Sequence, residues 1–335
     1  MDVSVVIGTY NRAILLGRAL TALQSQRTAP GLTWELVVVD NNSSDDTRAV
    51  VSAARAAFPV PMRYVFESRQ GISHARNAGI DNATGGIIAV TDDDCRPESA
   101  WVQNIVDCMQ RWDADVLGGR ILPEWSSPPP PWLATDRHLW TSIAMLDDSV
   151  VRRVELGPWQ REHGFRVWGA NIAFRRSTFE AVKGFDPSLG NRGHKSYGRE
   201  DIMFVRRVVE AGKLVMFDPT PTVHHWVGRN RMRKSFYRRH SFYYGEGAAL
   251  WNGPPKGRHL FGIPPFLLGV LAAHIASWIG ATLRRDREAF CFEREIHEAI
   301  GYLSGYIKCA LGAGEYARLR SPRASNPSPE KRVGP

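Results

Sequence analysis

Short apolar runs and amphipathic stretches alternate along the N-terminal third of the chain. Four apolar runs have the length of β-strands, at residues 3–7, 36–39, 62–66 and 86–90. Stretches with apolar positions at helical spacing separate them, at residues 11–26, 44–58 and 73–83. Because alternating strands and helices are typical of a mostly parallel sheet covered by helices on both faces, this pattern predicts an α/β fold.

Small, polar and acidic residues follow three of these apolar runs. They are Gly8-Thr9-Tyr10-Asn11, Asp40-Asn41-Asn42-Ser43 and Thr91-Asp92-Asp93-Asp94. In parallel sheets the carboxyl ends of the strands share one edge, where ligands bind, so we expect a site at this edge. A Gly-x-Gly-x-x-Gly fingerprint does not follow the first run, and no GxxxxGKS/T motif occurs. The sequence therefore argues against a Rossmann-type dinucleotide site and against a P-loop nucleotide site.

The middle of the chain contains fewer regular signals. A polyproline segment at residues 121–132 predicts a stiff surface loop. Residues 177–182 and 202–211 predict helices, and Gly212 would end the second of them. Residues 213–217 predict a further short strand.

The last third predicts a helical extension followed by a polar tail. It contains a basic stretch at residues 229–239, an apolar segment at 263–283 and an amphipathic helix at 289–311. We therefore divide the chain into a domain at 1–228, made of the halves 1–120 and 121–228, an extension at 229–315, and a tail at 316–335 whose composition predicts disorder.

Charge and cysteine usage restrict the cellular setting. The formal net charge is +9, which favours anionic partners such as nucleotides or lipid headgroups. The cysteines form no CxxC pair and indicate reduced thiols; they are Cys95, Cys108, Cys291 and Cys309. The start of the chain, MDVSVVIGTYNR, lacks the pattern of a signal peptide. We expect a protein on the cytoplasmic side.

Two acidic clusters have competing interpretations. Three consecutive carboxylates at Asp92, Asp93 and Asp94 fit either a solvated turn or a divalent-cation site, since hard cations bind carboxylate oxygens. Glu200 and Asp201 open a predicted helix, where acids compensate the helix dipole. One of them could equally act as a general base that removes a proton from a hydroxyl.

The apolar segment at 263–283 is about long enough to cross a bilayer, but prolines, glycines and a histidine interrupt it. An interfacial or re-entrant helix, a span and a soluble core helix remain open alternatives. The basic stretch at 229–239 carries interleaved aromatic residues. Since basic clusters beside apolar helices meet anionic lipid, the combination predicts an anionic membrane surface as a partner, with peripheral or monotopic attachment.

Five segments in this order resemble the family 2 glycosyltransferases, an inverting group with a GT-A fold. They are SVVIGTYNR (4–12), ELVVVDNNSSDDT (35–47), GISHARNAGIDNATGGIIAVTDDD (71–94), GREDIMFVRR (198–207) and PTPTVHH (219–225). The resemblance implies a Rossmann-like, mostly parallel sheet with a DxD motif, a nucleotide-sugar donor and a glycan or lipid-linked acceptor, in polysaccharide or glycolipid biosynthesis.

The resemblance also implies roles for particular residues. Asp201 would be the general base, with Glu200 beside it. Asp92, Asp94 and His225 would hold Mn²⁺ or Mg²⁺. Nucleotide-sugar contacts would come from Thr9, Tyr10, Arg12, Asp40, Asn42, Arg76, Asp92 and Asp93.

Three other functions stay as alternatives. A nucleotidyltransferase would share the sheet and the acids but needs a glycine-rich phosphate loop, for which GTYNRA is a poor match. A non-catalytic, membrane-associated protein would keep the fold alone. A nucleic-acid binder ranks last, because no nucleic-acid module accompanies the basic stretch, so we expect no nucleic-acid partner.

Overall fold

A mixed sheet with helices on both sides forms most of the protein. The structure, a computed structural model, describes residues 1–134, 137–155, 167–191, 197–252, 263–286 and 288–312. The N-terminal strands are β1 (Val3–Thr9), β2 (Trp34–Asp40), β3 (Met62–Phe66) and β4 (Ile87–Asp92), and the helices between them are α1 (Ala13–Gln24), α2 (Thr47–Arg55) and α3 (Ile72–Asp81). The predicted alternation of strands and helices is confirmed.

Shorter and more varied elements follow. In chain order they are β5 (Cys95–Pro97), α4 (Trp101–Arg111), β6 (Val116–Trp125), α5 (Pro131–Ala134), α6 (Arg137–Trp140), a 3₁₀ turn (Thr141–Ile143), β7 (Arg152–Arg153), β8 (Asn171–Arg175), α7 (Arg176–Ala181), α8 (Glu200–Glu210) and β9 (Val215–Val227). A 3₁₀ turn at Arg229–Met232 leads to α9 (Lys234–Asn252), α10 (Pro265–Leu283) and α11 (Ala289–Leu311).

The sheet has the strand order β3-β2-β1-β4-β8-β6-β9-β5, and β7 pairs with β9. The first four strands run parallel, while β8 pairs antiparallel with both β4 and β6. β1 and β2 are buried along their whole length, as expected for strands covered on both faces. The α/β class of the prediction is confirmed.

Two predictions of local structure are wrong. Residues 121–125 belong to β6 and not to a surface loop, because they pair with residues 223–227 of β9. The strand expected at 213–217 continues to Val227 through the proline-containing segment. Pro219 and Pro221 lack the N–H that a ladder needs, and they lie where the pairing with β6 is interrupted, between Phe217 and Thr222. His225 is therefore in a strand.

Four phenylalanines pack between the sheet and the helices α7 and α8. Ring centroids lie 4.8 Å apart for Phe185 and Phe204 and 5.0 Å apart for Phe174 and Phe204. Phe179 stacks on Phe174 with ring planes 11° apart. Because aromatic pairs add stability beyond their buried area, this cluster fixes α8, whose first residues are the Glu200-Asp201 pair.

The chain divides into two compact units, Met1–Phe236 and Tyr237–Pro335. Within the second unit, α9 and α11 approach so closely that a Cβ at Gly245 or Gly301 would overlap the backbone of the other helix. Gly305 likewise faces Ala249. Small residues at these positions allow backbone-to-backbone packing of the two helices. The predicted tail at 316–335 lies outside the described residues.

Candidate active site

The carboxyl ends of three neighbouring strands form the centre of the candidate site. Thr9 of β1 pairs in register with Asp40 of β2, and Gly8 pairs with Asp92 of β4. The parallel pairing thus places the three polar segments at one edge of the sheet, as the sequence predicts.

Each of the three consecutive aspartates has basic or hydroxyl partners, and Asp93 and Asp94 share Arg12. Asp92 Oδ1 accepts a hydrogen bond from Arg76 at 3.1 Å. Asp93 accepts bonds from the Thr9 hydroxyl at 2.7 Å and from Arg12 at 2.9 Å. The cationic partners of Asp94 are described below. The mutual repulsion of the triplet is therefore offset by a positively charged partner at each carboxylate, with Arg12 shared by Asp93 and Asp94.

Asp94 is buried and contacts three basic side chains. Its Oδ2 contacts Arg12 at 2.9 Å and Arg231 at 3.1 Å. Its Oδ1 lies 3.1 Å from His225 Nε2. Burial raises the pKa of the Asp94 carboxyl, but the basic side chains around it outweigh burial and hold this pKa well below its usual range. Asp94 is therefore an ionised carboxylate at neutral pH.

Asp93 behaves differently from Asp94, although both are buried. Burial is the largest influence and raises the pKa of Asp93 to about 6, against the opposing effect of Arg12. In turn, Asp93 is the main cause of a raised pKa at Arg12, which stays charged. The Asp93 side chain is turned inward to Thr9 and Arg12, so it braces the turn after β1.

The atoms of Asp94 and His225 suit a cation. Arginine can only donate, so the 2.9 Å bond from Arg231 to His225 Nε2 makes this nitrogen an acceptor with no proton. The facing Asp94 Oδ1 is buried and has no hydrogen-bond partner. Two electron-pair donors thus face each other at 3.1 Å. A divalent cation would be bound by both, and carboxylate with imidazole is a donor set that suits manganese.

Cys95 is near the same atoms, since Asp94, Cys95 and His225 each offer a ligand atom within 4.8 Å of the others. Burial raises the pKa of the Cys95 thiol well above its usual value, and the acids at Asp94 and Asp92 add to this effect. The thiol stays protonated and is a soft ligand, so it fits a hard cation poorly. Asp92, which the sequence also assigns to the metal, lies against Arg76 and not in this cluster.

Arg76 connects the acidic triplet to the Glu200-Asp201 pair. Its side chain is only 3% exposed, and its two terminal nitrogens bind Asp92 at 3.1 Å and Glu200 at 2.8 Å. The guanidinium also lies 5.5 Å above the Phe185 ring. With both terminal nitrogens engaged inside the protein, Arg76 is placed to position the two acids, whereas the sequence predicts a contact with phosphate.

The Glu200-Asp201 pair is buried at the start of α8. Asp201 accepts hydrogen bonds from the backbone N–H of Gly169 at 2.8 Å and of Ile202 at 2.7 Å. Burial raises the pKa of Asp201, although Arg76 opposes it. Burial and the adjacent Asp201 raise the pKa of Glu200 to about 7. A buried carboxylate with a raised pKa is a better proton acceptor than one in water.

Gly169 provides the space that Arg76 occupies. A Cβ at Gly169 would overlap the Arg76 guanidinium. We expect Gly169→Ala to lower the free energy of unfolding by about 1–3 kcal/mol, because overpacking displaces buried groups. Chemical denaturation measures this change.

The control is Gly86→Ala, since a Cβ at Gly86 meets no atom within 4 Å. Equal effects of the two substitutions would show that the contact between Gly169 and Arg76 does not determine the fold of this site.

The residues that the resemblance assigns to the nucleotide-sugar include one buried hydrogen-bond acceptor, Asp40, and several exposed groups. Asp40 accepts from the Ser43 backbone N–H at 2.8 Å and from the Tyr64 hydroxyl at 2.7 Å. Burial and this bond raise the pKa of Tyr64 to about 12. A carboxylate oxygen accepts more than one hydrogen bond, so Asp40 can still bind a base N–H. Tyr10 is 40% exposed, and Asn42 is exposed with a left-handed φ of 67°.

Sequence reasoning missed three contributors. It assigned Arg231 to a membrane-facing basic stretch, because charge pattern alone does not show that a turn folds back to Asp94. It gave no role to Gly169 or Tyr64, since a close approach and a long-range hydrogen bond leave no local pattern. The six-residue spacing from His225 to Arg231 is the one signal that the sequence offers.

Comparison with known proteins identifies the family. The family model for glycosyl transferase family 2 matches residues 4–183, more than half of the chain. The chain belongs to glycosyl transferase family 2. This match contains every strand end of the site and the Asp92-Asp93-Asp94 triplet, and it ends before Glu200.

Two curated relatives of this family 2 glycosyltransferase come from Haloferax volcanii. The chain described here is 28% identical over 215 residues to glycosyltransferase AglE, and the match covers 64% of each of the two chains. It is 27% identical over 250 residues to a glucosyl-dolichyl phosphate glucuronosyltransferase, covering 73% of this chain and 75% of the relative.

A solved structure shows the same fold. The mannosyltransferase PcManGT from Pyrobaculum calidifontis, in complex with GDP-Man and Mn²⁺, matches with a TM-score of 0.52 and 19% identity over 95% of this chain and 78% of that one. The likeness confirms the predicted GT-A fold of this family 2 glycosyltransferase.

Proposed function

We propose that this chain is an inverting, metal-dependent glycosyltransferase that moves a sugar from a nucleotide-sugar to a glycan or lipid-linked acceptor at the cytoplasmic face of a membrane. The arrangement around Arg76 is the observation that carries this proposal. One buried guanidinium joins Asp92, on the donor side, to Glu200, beside the proposed base. The two acidic motifs thus belong to one site.

The reaction follows from the placement of these groups. The acceptor hydroxyl attacks the anomeric carbon while the bond from that carbon to the phosphate oxygen breaks, which inverts the configuration. Asp201 accepts the hydroxyl proton as the new bond forms. A divalent cation bound by Asp94 and His225 would supply charge neutralisation for the departing nucleoside diphosphate. Asp40 and Tyr10 bind the nucleotide base by hydrogen bonding and stacking.

The acceptor and location in this proposal are supported by separate observations. The glucuronosyltransferase relative acts on glucosyl-dolichyl phosphate by its name, which supports a lipid-linked acceptor and a role in glycolipid or polysaccharide synthesis. Helix α10 is long and apolar enough to cross a membrane, and 11% of it is buried. The positive net charge supports anionic lipid as the partner of the extension.

A donor screen tests the proposal. Purified protein is incubated with UDP-, GDP- and dTDP-sugars, with and without Mn²⁺ and with lipid-phosphate acceptors, and released nucleoside diphosphate is detected. We expect metal-dependent release from one donor. If no donor is hydrolysed and calorimetry detects no donor binding, the alternative of a non-catalytic family member is correct.

Arg231 should compete with the cation for Asp94 and His225. The Arg231 guanidinium contacts both residues. A divalent cation bound to the same atoms would lie about 4 Å from this positive charge, and the repulsion would cost several kcal/mol at an intermediate dielectric constant. We expect Arg231→Gln to bind Mn²⁺ at least about tenfold more tightly. Titration of free Mn²⁺ by electron paramagnetic resonance measures this affinity without substrate.

The control for this prediction is Arg229→Gln, an exposed arginine of the same 3₁₀ turn. It removes one positive charge from the same element. Weaker Mn²⁺ binding by Arg231→Gln would mean that the arginine supports the cation site and does not compete for it.

A further inference from the structure

The second unit, Tyr237–Pro335, combines paired charged side chains with large apolar side chains that are exposed. Among the described residues of this unit, ionisable side chains pair with one another: Arg238–Glu293 at 2.7 Å, His274–Glu295 at 3.0 Å, Arg294–Glu298 at 3.8 Å and Glu246–Lys308. Large apolar side chains of α10 instead face outward. Such apolar exposure is unusual for a soluble monomer and marks a contact surface.

Four of the exposed apolar residues of α10 share one side of the helix, while the exposed Phe266, Val270 and Trp278 lie on its other sides. Leu268, Ile275, Ile279 and Leu283 are 50%, 38%, 47% and 79% exposed. Their spacing of seven, four and four residues places them on the same side of the helix. We call these four residues the lipid face.

The opposite side of α10 is covered by the protein itself. Leu267 and Ala281 are 6% and 0% exposed, and His274 lies midway between them. His274 Nδ1 contacts Glu295 of α11 at 3.0 Å. Because His274 is at the middle of α10, this polar pair lies at the point that would be at the bilayer centre if the helix crossed the membrane.

The charged residues of helix α11 argue against a transmembrane position for α10. It carries Glu293, Arg294, Glu295 and Glu298 in its first half. Through the His274–Glu295 pair, these charges lie beside the middle of α10. Each ionised group at that depth would cost several kcal/mol, even with its partner nearby. At the membrane surface the same charges remain in the hydrated headgroup layer.

We propose that α10 lies in the plane of the membrane, with the lipid face in the outer acyl region and the His274 side toward the headgroups. This inference deepens the membrane association of the proposed function and rests on it. Arg284 and Arg285, exposed at the end of α10, match anionic lipid headgroups. Exposed Ile300, Ile307 and Leu311 extend the apolar surface to α11.

Depth-resolved fluorescence tests this orientation on the full chain. Cysteines introduced one at a time at Leu268→Cys, Ile275→Cys and Leu283→Cys carry an environment-sensitive label. The background is Cys291→Ser, and its remaining cysteines, Cys95, Cys108 and Cys309, are buried. Vesicles of phosphatidylcholine and phosphatidylglycerol contain a quencher at either a shallow or a deep acyl position. We expect vesicles to blue-shift all three labels, and the shallow quencher to act on all three equally. A label at Asp113→Cys, exposed in the first unit, should not change.

Each other result overturns the proposal in a recognisable way. Deep quenching at position 275 with shallow quenching at 268 and 283 would show a transmembrane helix. Unchanged labels would show a soluble surface. Labels that are blue-shifted before vesicles are added, in a protein with the mass of a dimer, would show that a second copy covers the lipid face.

A matched pair of substitutions measures the contribution of the lipid face. We expect Ile279→Glu to weaken vesicle co-sedimentation by about tenfold or more, because one buried isoleucine is lost from the lipid. Ser277→Glu adds the same charge at an exposed polar position of α10 and should have a smaller effect. Equal effects would contradict the assigned face. These measurements use no sugar donor, so they test the membrane orientation of α10 independently of whether the protein transfers sugar.

Discussion

Replacing Asp201 with asparagine should lower the turnover number by about two to four orders of magnitude while leaving donor affinity unchanged. The amide cannot accept the proton of the acceptor hydroxyl, and no step of donor binding uses Asp201. Burial, which raises the pKa of this carboxyl, makes it a competent base near neutral pH. Single-turnover transfer and donor calorimetry measure the two quantities.

The asparagine variant also disturbs the fold locally. Both oxygens of Asp201 accept backbone N–H groups, of Gly169 and Ile202, and an amide nitrogen would face one of these donors. The thermal midpoint must therefore be compared with that of Glu210→Gln, an exposed acid on the same helix. Unchanged turnover in a folded Asp201→Asn variant would remove this residue from the mechanism.

Replacing Asp94 with asparagine should abolish Mn²⁺ binding and reduce transfer to background. Asp94 Oδ1 is the buried, unpaired oxygen that faces His225 Nε2. An amide oxygen keeps the shape but loses the charge that a divalent cation requires at this position. Equilibrium dialysis with Mn²⁺ reports binding directly, without donor or acceptor.

A control separates loss of the cation from loss of folding. Asp46→Asn changes an exposed acid that caps α2 without a side-chain hydrogen bond, and it should leave Mn²⁺ binding and transfer unchanged. If Asp94→Asn binds Mn²⁺ as tightly as the unmodified chain, the proposed cation site is wrong, whatever happens to transfer.

The sequence was a good guide wherever a local pattern determines the structure. The alternation of apolar runs and amphipathic stretches correctly predicted the parallel strands β1 to β4, because burial on both faces requires continuous apolar residues. Parallel pairing then explains why Thr9 and Asp40 are adjacent. The family resemblance, confirmed by the family model, rested on the same segments.

Long-range contacts could not be predicted in the same way. β9 continues past Pro219 and Pro221 because β6 pairs with it on both sides of them, and local propensity does not contain that information. The partners of the acidic triplet are equally non-local, since Arg231 reaches Asp94 from a basic stretch that the sequence analysis assigned to a membrane surface. The roles assigned to Tyr10, Asn42 and His225 stay predictions until ligand binding is measured.

The position of Arg76 has a consequence for how this chain can diverge. Arg76 and Glu200 are 124 positions apart in the sequence, yet they form a buried ion pair. The same guanidinium also binds Asp92. We therefore expect that the segment carrying Arg76 and the segment carrying Glu200 do not work as independent modules when they are exchanged between family members. A chimaera should keep an intact active site only when both parent proteins place the arginine, the glycine that makes room for it and the two acids in the same geometry.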